Sequence, residues 1–482
     1  MSSMLSRLIE TVLIHAVNTA RQRRQARVAA TASGGERPTG EGVIGHVLPS
    51  PSGPPAAPAP LCLSDEALRR HVYALGSSGS GKTSLLLNLI DADLARGRGL
   101  CVLDLRGDLV DRVLLRLARR EDPAAQGRRV LLLDLRDAER VVAFNPLASE
   151  PGAPEEDRYQ RALHLLGILR QQSDSWGVQL DETLRNCLLA LSEAGWSLLE
   201  VEPLLTRPAF RAEVMANVSD PAVRAFFARY GALAEDQQAQ WRLPVLNKFS
   251  AFLALPSLRR MLGQRRSSFS LRGILDEPGT VLLVSLAVDR LQQGALLAGA
   301  LIASALENAF LARADVPESQ RTPVSVYLDE FQNFAGPQFA ALLSEGRRFG
   351  CSLVLAHQSL GQLPGPLWQA IRTNANHQFL FGMGAGDAAE LAKDVALDET
   401  REEVRKLLMG QSPGEAVLVR RGQPSARVRL SPSPDPAVDQ AGVRSVREAA
   451  WAAYAVGRGG RGAAPARGVA GQAGGAARPG GP

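Results

Sequence analysis

The 482-residue sequence predicts an α/β fold with a mostly parallel sheet and an inserted all-helical domain. Three observations support this prediction. Short, almost continuously apolar runs alternate with helical patterns, a glycine-rich segment lies between a strand-like run and a helix-like run, and residues 151–265 contain helical patterns without a convincing strand. Near-continuous hydrophobicity is typical of strands that are covered on both faces, and helices must supply that cover.

Six apolar runs predict buried strands: Leu100–Asp104, Arg129–Asp134, Thr280–Ser285, Ser325–Asp329, Ser352–Ala356 and Gln378–Phe381. Helical patterns separate them, as parallel strands require, because each connection must cross the sheet. This order predicts a core of the RecA type. Near the C-terminal side, Glu415–Val419 and Ala426–Leu430 flank a Gly-Gln-Pro turn and predict a hairpin at an edge of the sheet.

The chain is predicted to divide into five segments. These are a leader and linker at 1–60, the first part of the core at 61–150, the helical insertion at 151–265, the second part of the core at 266–431, and a tail at 432–482.

The two terminal segments have different compositions. Met4–Val17 has apolar residues at helical spacing, followed by a basic run; a membrane-surface or partner-binding helix and a loosely ordered leader are both compatible with this pattern. Residues 31–60 are rich in Gly, Pro, Ser and Ala and predict a linker. Apolar periodicity is lost from about Pro432, and we expect the Gly/Ala/Arg/Pro tail to be disordered.

Composition narrows the functional class. Hydrophobic residues make up 45% and charged residues 22%, as in ordinary globular proteins. The longest apolar candidate for a membrane span, Ala295–Leu306, is too short and ends at Glu307, so no transmembrane helix is predicted. The four cysteines form no C-x-x-C pair, which favours a reducing cytoplasm over a disulfide scaffold or zinc site. A net charge of +6 and a pI near 9.4 are compatible with a nucleic-acid partner without establishing one.

The glycine-rich segment is a candidate phosphate-binding loop. Residues 76–83 read Gly-Ser-Ser-Gly-Ser-Gly-Lys-Thr, which fits the pattern G-x-x-x-x-G-K-[ST] of NTPases. A strand-like run, His71–Leu75, precedes the loop and a helix-like run, Ser84–Ile90, follows it, so a chance Gly/Ser linker explains the pattern poorly. The predicted nucleotide-binding residues are Gly76, Ser77, Ser78, Gly79, Ser80, Gly81, Lys82, Thr83 and Ser84.

This motif predicts that the protein binds ATP and Mg²⁺ as cofactors. Glycines allow successive backbone N–H groups to turn towards the phosphates. Lys82 is expected to reach the β- and γ-phosphates and the Thr83 hydroxyl to ligate Mg²⁺. The helix N-terminus that follows adds a favourable dipole for anions.

A second acidic motif supplies the remaining half of a hydrolytic site. The run Val324–Leu328 leads directly to Asp329 and Glu330, and a strand here carries both acids to the edge of the sheet where nucleotides bind. Asp329 is predicted to hold Mg²⁺ through its water shell, and Glu330 to activate the water that attacks the γ-phosphate. The alternative is that both acids cap the next helix.

Three further residues are candidates for the catalytic machinery. Gln358 follows the strand predicted to lie beside the Asp-Glu strand and is expected to contact the γ-phosphate. Arg347 or Arg348 is a candidate arginine finger that serves a neighbouring subunit. A solvated helix end explains the two arginines equally well.

The motifs together resemble those of the conjugative coupling-protein ATPases (TraG/TraD-like), within the HerA/FtsK group of DNA-pumping motors. The resemblance runs from about Leu68 to Leu430. It rests on Arg70–Thr83, Leu103–Asp108, Phe144–Leu147, Trp176-Gly177, Tyr327–Phe334, Glu345–Gly350, His357–Ser359, and Asn374 followed by Phe379–Phe381.

The resemblance implies a RecA-like P-loop NTPase core, a homo-hexamer, and ATP hydrolysis coupled to sequence-independent movement of DNA. It also implies a relaxase or secretion-channel proteins as partners. By position it assigns the roles above to Lys82, Thr83, Asp329, Glu330 and Gln358, and it favours Arg347 as the finger. Coupling proteins usually carry two N-terminal transmembrane helices. None is predicted here, so we expect a cytoplasmic protein, either soluble or recruited to the inner face of the plasma membrane.

Three functions remain open from the sequence. The first is a coupling ATPase of conjugative or mobile-element transfer, and the second is a HerA-type motor that works with a nuclease. The third is an ATP-switched adaptor that recruits a relaxase or secretion substrate with little turnover. Intact Lys82 and Glu330 argue against the third. Asp104 and Asp108 have no assigned role; helix capping is the common use of such acids, and a place near the phosphates is the alternative.

Overall fold

The computed structural model describes residues 42–49, 57–119, 128–148, 155–171, 173, 175–253, 255–333 and 338–456. The predicted N-terminal helix at Met4–Val17 and the tail beyond residue 456 lie outside these ranges.

The strands fall into one large sheet and one small one. In chain order they are β1 (Val43–Val47), β2 (Ala59–Cys62), β3 (Val72–Leu75), β4 (Gly99–Asp104), β5 (Val130–Asp134), β6 (Val141–Val142), β7 (Val281–Ser285), β8 (Val324–Asp329), β9 (Cys351–His357), β10 (His377–Leu380), β11 (Glu415–Arg420), β12 (Ala426–Leu430) and β13 (Ala455–Val456). The large sheet has 11 strands in the order β2-β1-β12-β11-β10-β3-β9-β8-β4-β7-β5. β6 and β13 pair separately.

The predicted α/β class and mostly parallel sheet are confirmed. Every neighbouring pair from β10 to β5 is parallel, and the pairs from β10 to β2 are antiparallel. All six predicted apolar runs form strands of the parallel part. β3, β4, β7 and β9 are buried along their whole length, as the near-continuous hydrophobicity requires.

The predicted linker is wrong where it overlaps β1 and β2. β1 pairs with β12 and β2 pairs with β1, so the β11–β12 hairpin forms as predicted but does not lie at the edge of the sheet. Gly45 faces Leu430, and a Cβ at Gly45 would lie 2.5 Å from the Arg429 carbonyl oxygen. Gly45, one of the residues that gave this segment the composition of a linker, is therefore required by the close approach of β12.

The helices, in chain order, are α1 (Asp65–Arg69), α2 (Lys82–Ala95), α3 (Asp108–Leu117), α4 (Glu155–Gln171), α5 (Val178–Ala194), α6 (Val201–Thr206), α7 (Pro208–Met215), α8 (Pro221–Ala232), α9 (Glu235–Leu253), α10 (Pro256–Leu262), α11 (Leu271–Asp276), α12 (Val288–Leu291), α13 (Gln293–Leu311), α14 (Gln338–Glu345), α15 (Gly365–Asn374), α16 (Ala385–Leu391), α17 (Arg401–Met409) and α18 (Gln440–Tyr454). Between β6 and β7, the part of the chain that the structure covers contains helices and no strand.

The prediction of a disordered tail is wrong for α18. Its buried residues Ala450, Trp451 and Tyr454, with the partly buried Val443 and Val446, follow helical spacing and pack on the protein core. The helix contacts β5 and α3, and the Asp439 side chain caps it by accepting a hydrogen bond from Gly442 N at 2.6 Å. The surrounding Gly, Ala and Arg residues hid this periodicity in the sequence.

Helix α13 is the central apolar helix of the fold. Within the residues placed by the structure, one helical stretch, Gln293–Asp315, is long and apolar enough to cross a membrane, but 72% of its apolar window is buried inside the protein. It packs against α4, α9, α11 and α14. The predicted apolar run ended at Glu307, whereas the helix continues past it and buries the Glu307 side chain.

We expect the stability of the fold to depend on the ionisation of Glu307. Burial raises the pKa of Glu307 to about 7, and its Oε2 atom has no hydrogen-bond partner among the residues described. The folded pKa lies above that of the unfolded chain, so stability falls as the pH rises from about 4.5 to about 7. Glu307→Gln should raise the free energy of unfolding at pH 8 by about 2–3 kcal/mol and give no such gain at pH 4.5.

Urea-induced unfolding at both pH values measures this difference. The exposed Glu318 provides a matched control, since Glu318→Gln should change stability equally at the two pH values. A gain from Glu307→Gln that does not depend on pH would contradict the prediction.

Candidate active site

The loop between β3 and α2 has the backbone geometry of a phosphate cradle. Gly79 and Gly81 have φ values of +75° and +119°, which residues with a Cβ rarely adopt. A Cβ at Gly81 would lie 2.9 Å from the backbone of Gly414, and one at Gly76 would lie 2.5 Å from Phe381 Cβ. Gly414 N donates a hydrogen bond to Ser80 O at 2.8 Å, so the loop is held against the turn that precedes β11.

Lys82 begins α2 and its side chain folds back under the loop. Its Nζ donates hydrogen bonds to Gly76 O at 2.6 Å and to Ser77 O at 3.1 Å. Burial lowers the pKa of Lys82, while the charges of Glu330 and Asp329 raise it. Lys82 lines the same cavity as both of these acids.

The sheet brings the predicted motifs to one edge. β9 lies between β3 and β8, with Leu75 opposite His357 and Asp329 opposite Ala356. Three segments therefore leave the sheet side by side: the loop after Leu75, the segment with Gln358 after β9, and the segment with Glu330 after β8. The prediction that Gln358 follows the strand beside the Asp-Glu strand is confirmed.

These elements line a single cavity of about 580 Å³. Its lining residues come from the phosphate loop, the ends of β4, β8 and β9, and the start of α3: Ser78, Gly79, Gly81, Lys82, Thr83, Ser84, Asp104, Leu105, Arg106, Asp108, Leu109, Val288, Asp329, Glu330, Gln332, Asn333, Gln358 and Gln362.

The carboxylate of Glu330 is held by two glutamine side chains. Gln358 Nε2 donates to Glu330 Oε1 at 2.6 Å, and Gln332 Nε2 donates to Glu330 Oε2 at 2.9 Å. Glu330 has a φ of +51°, an uncommon backbone conformation for a residue with a side chain. The carboxylate thus bonds to side-chain amides inside the cavity, which argues against the capping alternative for Glu330, whereas the Asp329 carboxylate accepts a hydrogen bond from Glu330 N at 3.1 Å.

Asp329 lies beside Glu330 in an acidic environment. Burial raises the pKa of Asp329 to about 7, and the charges of Asp104 and Glu330 add to this effect. Lys82 acts in the opposite direction. A cation that approaches these acids would replace part of the hydration that burial removes from Asp329.

Asp104, which the sequence left without a role, caps α3. Its carboxylate accepts hydrogen bonds from the backbone N–H groups of Arg106, Leu109 and Val110, at 3.0, 2.7 and 3.1 Å. Asp108 is in the first turn of α3 and lines the cavity. Both open alternatives therefore hold for Asp104, because it caps a helix and also lies at the cavity.

Arg347 and Arg348 are not brought to the cavity of their own chain. They lie in a 3₁₀ turn, Gly346–Phe349, immediately before β9, whereas Gln358 follows β9. The seven residues of β9 separate the two ends by about 23 Å, more than an arginine side chain spans. Both arginines are exposed, and Arg347 pairs with Glu66 at 3.1 Å.

Buried contacts on both faces of the sheet support the strands that lead to the cavity. Tyr327 of β8 donates a hydrogen bond to Asp93 Oδ2 of α2 at 2.7 Å. His357 packs between Tyr73 and Phe331, and burial together with the charge of Lys82 lowers its pKa to about 3. Sequence reasoning missed these supports because their neighbours along the chain give no sign of a partner more than 200 positions away.

The donor set fits Mg²⁺ in the presence of phosphate. In the described parts of the chain, no group of three or more His, Cys, Asp or Glu residues is arranged to hold a metal by itself. Mg²⁺ characteristically uses one or two protein oxygens together with phosphates and water. The Thr83 hydroxyl and the Asp329 carboxylate, both at this cavity, match that pattern.

Comparison with known families confirms the resemblance found in the sequence. Residues 323–405 match the family model described as the TraM recognition site of TraD and TraG. Comparison with curated protein sequences finds no match.

Solved structures share the fold at low sequence identity. The plasmid coupling protein TrwB in complex with the non-hydrolysable ATP analogue ADPNP is 19% identical, with 84% of this chain and 98% of that chain covered and a TM-score of 0.55. TrwB in complex with ADP and Mg²⁺ is 17% identical, with 78% and 88% covered and a TM-score of 0.54. VirB4 of Thermoanaerobacter pseudethanolicus is 14% identical, with 83% and 99% covered and a TM-score of 0.51.

The loop geometry predicts unequal effects of two glycine substitutions. Gly81→Ala adds a Cβ against the Gly414 backbone and forces an alanine to φ +119°, whereas Gly79→Ala has nothing within 4 Å of the new Cβ. We expect Gly79→Ala to weaken nucleotide binding only through backbone strain of about 1–2 kcal/mol. Gly81→Ala should weaken nucleotide binding at least about tenfold more than Gly79→Ala does. Titration with a fluorescent ATP analogue and Mg²⁺ measures both, and equal affinities for the two variants would contradict this account of the loop.

Proposed function

We propose that this protein is an ATPase that hydrolyses Mg²⁺–ATP in the cavity between the phosphate loop and the tip of β8. The observation that carries the proposal is the meeting of Lys82, Asp329, Glu330 and Gln358 at that cavity. A phosphate cradle, a metal-binding acid, a base and a polar group for the γ-phosphate are the parts that phosphoryl transfer to water requires.

Each side chain has a distinct task in this proposal. The loop backbone and Lys82 bind the phosphates, while Thr83 and Asp329 hold the metal, which offsets the charge of the phosphate oxygens. Glu330 accepts a proton from the attacking water. Gln358, which bonds to Glu330 in the structure, exchanges that bond in this proposal for one to the γ-phosphate.

We further propose that the ATPase is a coupling ATPase of conjugative or mobile-element transfer that moves DNA. The match of residues 323–405 to the TraM recognition site of TraD and TraG, and the TrwB-like fold, support this assignment. The same segment contains α14 to α16 and the first five residues of α17, and we propose that it binds a protein of the DNA-processing complex. The excess of basic residues is consistent with sequence-independent contact with DNA phosphates.

The position of the two arginines supports a homo-oligomer, proposed to be a hexamer. Arg347 and Arg348 lie at the start of β9, whereas the cavity lies at its carboxyl end. An arginine finger at either position must therefore act in the cavity of a neighbouring subunit. The surface pair between Arg347 and Glu66, half-exposed on both sides, is weak enough to be exchanged.

Glu330→Gln should separate binding from hydrolysis. The variant keeps the shape of the side chain but cannot accept a proton, so we expect turnover to fall by about 10²–10⁴-fold with ATP affinity retained. Phosphate release and titration with a fluorescent ATP analogue measure the two quantities. Glu213→Gln, at an exposed position in α7, should leave both unchanged. Unchanged turnover in Glu330→Gln would remove Glu330 from its role as base.

DNA should stimulate ATP hydrolysis, which tests the proposed function most directly. Phosphate contacts release counterions, so the stimulation should decline steeply as salt concentration rises. Hydrolysis is measured with single-stranded DNA, with double-stranded DNA and without DNA, over a range of salt concentrations. A rate indifferent to both kinds of DNA would contradict the motor and support the ATP-switched adaptor instead.

A further inference from the structure

The turn that follows β8 holds Glu330 by three hydrogen bonds, two to its backbone oxygen and one to its carboxylate. The backbone N–H and the side-chain Nδ2 of Asn333 both donate to Glu330 O, at 3.2 and 2.9 Å. The Gln332 side chain reaches the carboxylate of the same residue at 2.9 Å. One 3₁₀ turn, Phe331–Asn333, thus holds both the backbone and the carboxylate of Glu330.

From this geometry we infer that Gln332 is a positioning residue that orients the Glu330 carboxylate for proton transfer. The inference deepens the proposed ATPase function and rests on it. Gln332 acts through Glu330, and nothing requires it to contact the nucleotide itself.

The surroundings of Gln332 explain why a glutamine is needed there. Its Oε1 atom is buried and has no hydrogen-bond partner in the described parts of the chain. A buried acceptor without a donor is unfavourable, and an apolar residue of the same size would avoid that cost. The Nε2 donor to Glu330 is therefore the contribution that distinguishes glutamine from leucine or methionine at this position.

The two glutamines approach Glu330 from different strands and have different tasks. Gln358 follows β9, the strand beside β3 and its phosphate loop, whereas Gln332 follows β8 itself. When Gln358 exchanges its bond to Glu330 for one to the γ-phosphate, Gln332 still holds the other carboxylate oxygen. Each carboxylate oxygen has two lone pairs, so the site that accepts the proton of water stays open while the group stays oriented.

Two variants of Gln332 test this inference. Gln332→Met keeps the volume and removes the donor; we expect kcat to fall about 10–100-fold, the range typical of lost supporting hydrogen bonds, with KM and ATP-analogue affinity within about threefold of the parent protein. Gln332→Glu places a second carboxylate against Glu330 and should lower kcat further. The full chain is used with Mg²⁺, and thermal unfolding confirms that each variant is folded.

A matched control is Gln378→Met. Gln378 is also a half-buried glutamine with one Nε2 hydrogen bond, to Ala375 O at 3.2 Å, but it lies in β10 and makes no contact with Glu330. This variant should retain the parent kcat. A comparable loss of kcat in Gln378→Met would overturn the inference, because loss of an ordinary supporting bond would then explain the effect.

A double-mutant cycle separates this inference from the proposed function. If Gln332 acts through Glu330, then Gln332→Met should cause no further loss of turnover in a Glu330→Gln background. Multiplicative losses would overturn the positioning role. Full activity of Gln332→Met alongside an inactive Glu330→Gln would refute the inference and leave the ATPase proposal intact. A fully active Glu330→Gln would remove Glu330 from its role as base and refute the inference with it, and a parent protein that hydrolyses no ATP would refute the ATPase proposal.

Discussion

The parallel alignment of β3, β9 and β8 brings the residues of the candidate active site together. Parallel strands end at the same edge of a sheet, so the segments that follow them emerge together regardless of their separation in the sequence. Here this rule brings residues after Leu75, Asp329 and His357 to one cavity. The hydrogen bond from Tyr327 to Asp93 ties the Asp-Glu strand to α2, the helix that begins at Lys82.

The charge balance of the cavity explains the demand for a divalent cation. Four carboxylates, those of Asp104, Asp108, Asp329 and Glu330, line it together with two cations, Lys82 and Arg106. Bringing a triphosphate into such a site adds further negative charge to groups that are already partly desolvated, as the raised pKa of Asp329 reflects. Thr83 and Asp329 would hold a metal ion here, and its charge would add to that of Lys82 in offsetting this repulsion.

Much of the site was predictable because its signals are local. The phosphate loop is a contiguous motif whose glycines are forced by backbone geometry, and the Asp-Glu pair ends an apolar strand. The parts that were missed depend on contacts across the chain. β1 and α18 are segments with neighbours rich in Gly, Pro and Ala, so composition concealed them. Only the pairing of β1 with β12 and the packing of α18 on β5 and α3 reveal them. Gln332 lies within the motif Tyr327–Phe334, but only the hydrogen bond from its amide to the Glu330 carboxylate indicates a positioning role.

We propose that the phosphate loop and the tip of β8 bind the same metal-bound nucleotide. Crystals grown with a non-hydrolysable ATP analogue and Mn²⁺ in place of Mg²⁺ test it directly, because anomalous scattering locates the manganese ion without reference to any model. We expect one anomalous peak between the Thr83 hydroxyl and the Asp329 carboxylate, next to the phosphates. A nucleotide-bound manganese ion located away from Asp329 would contradict it.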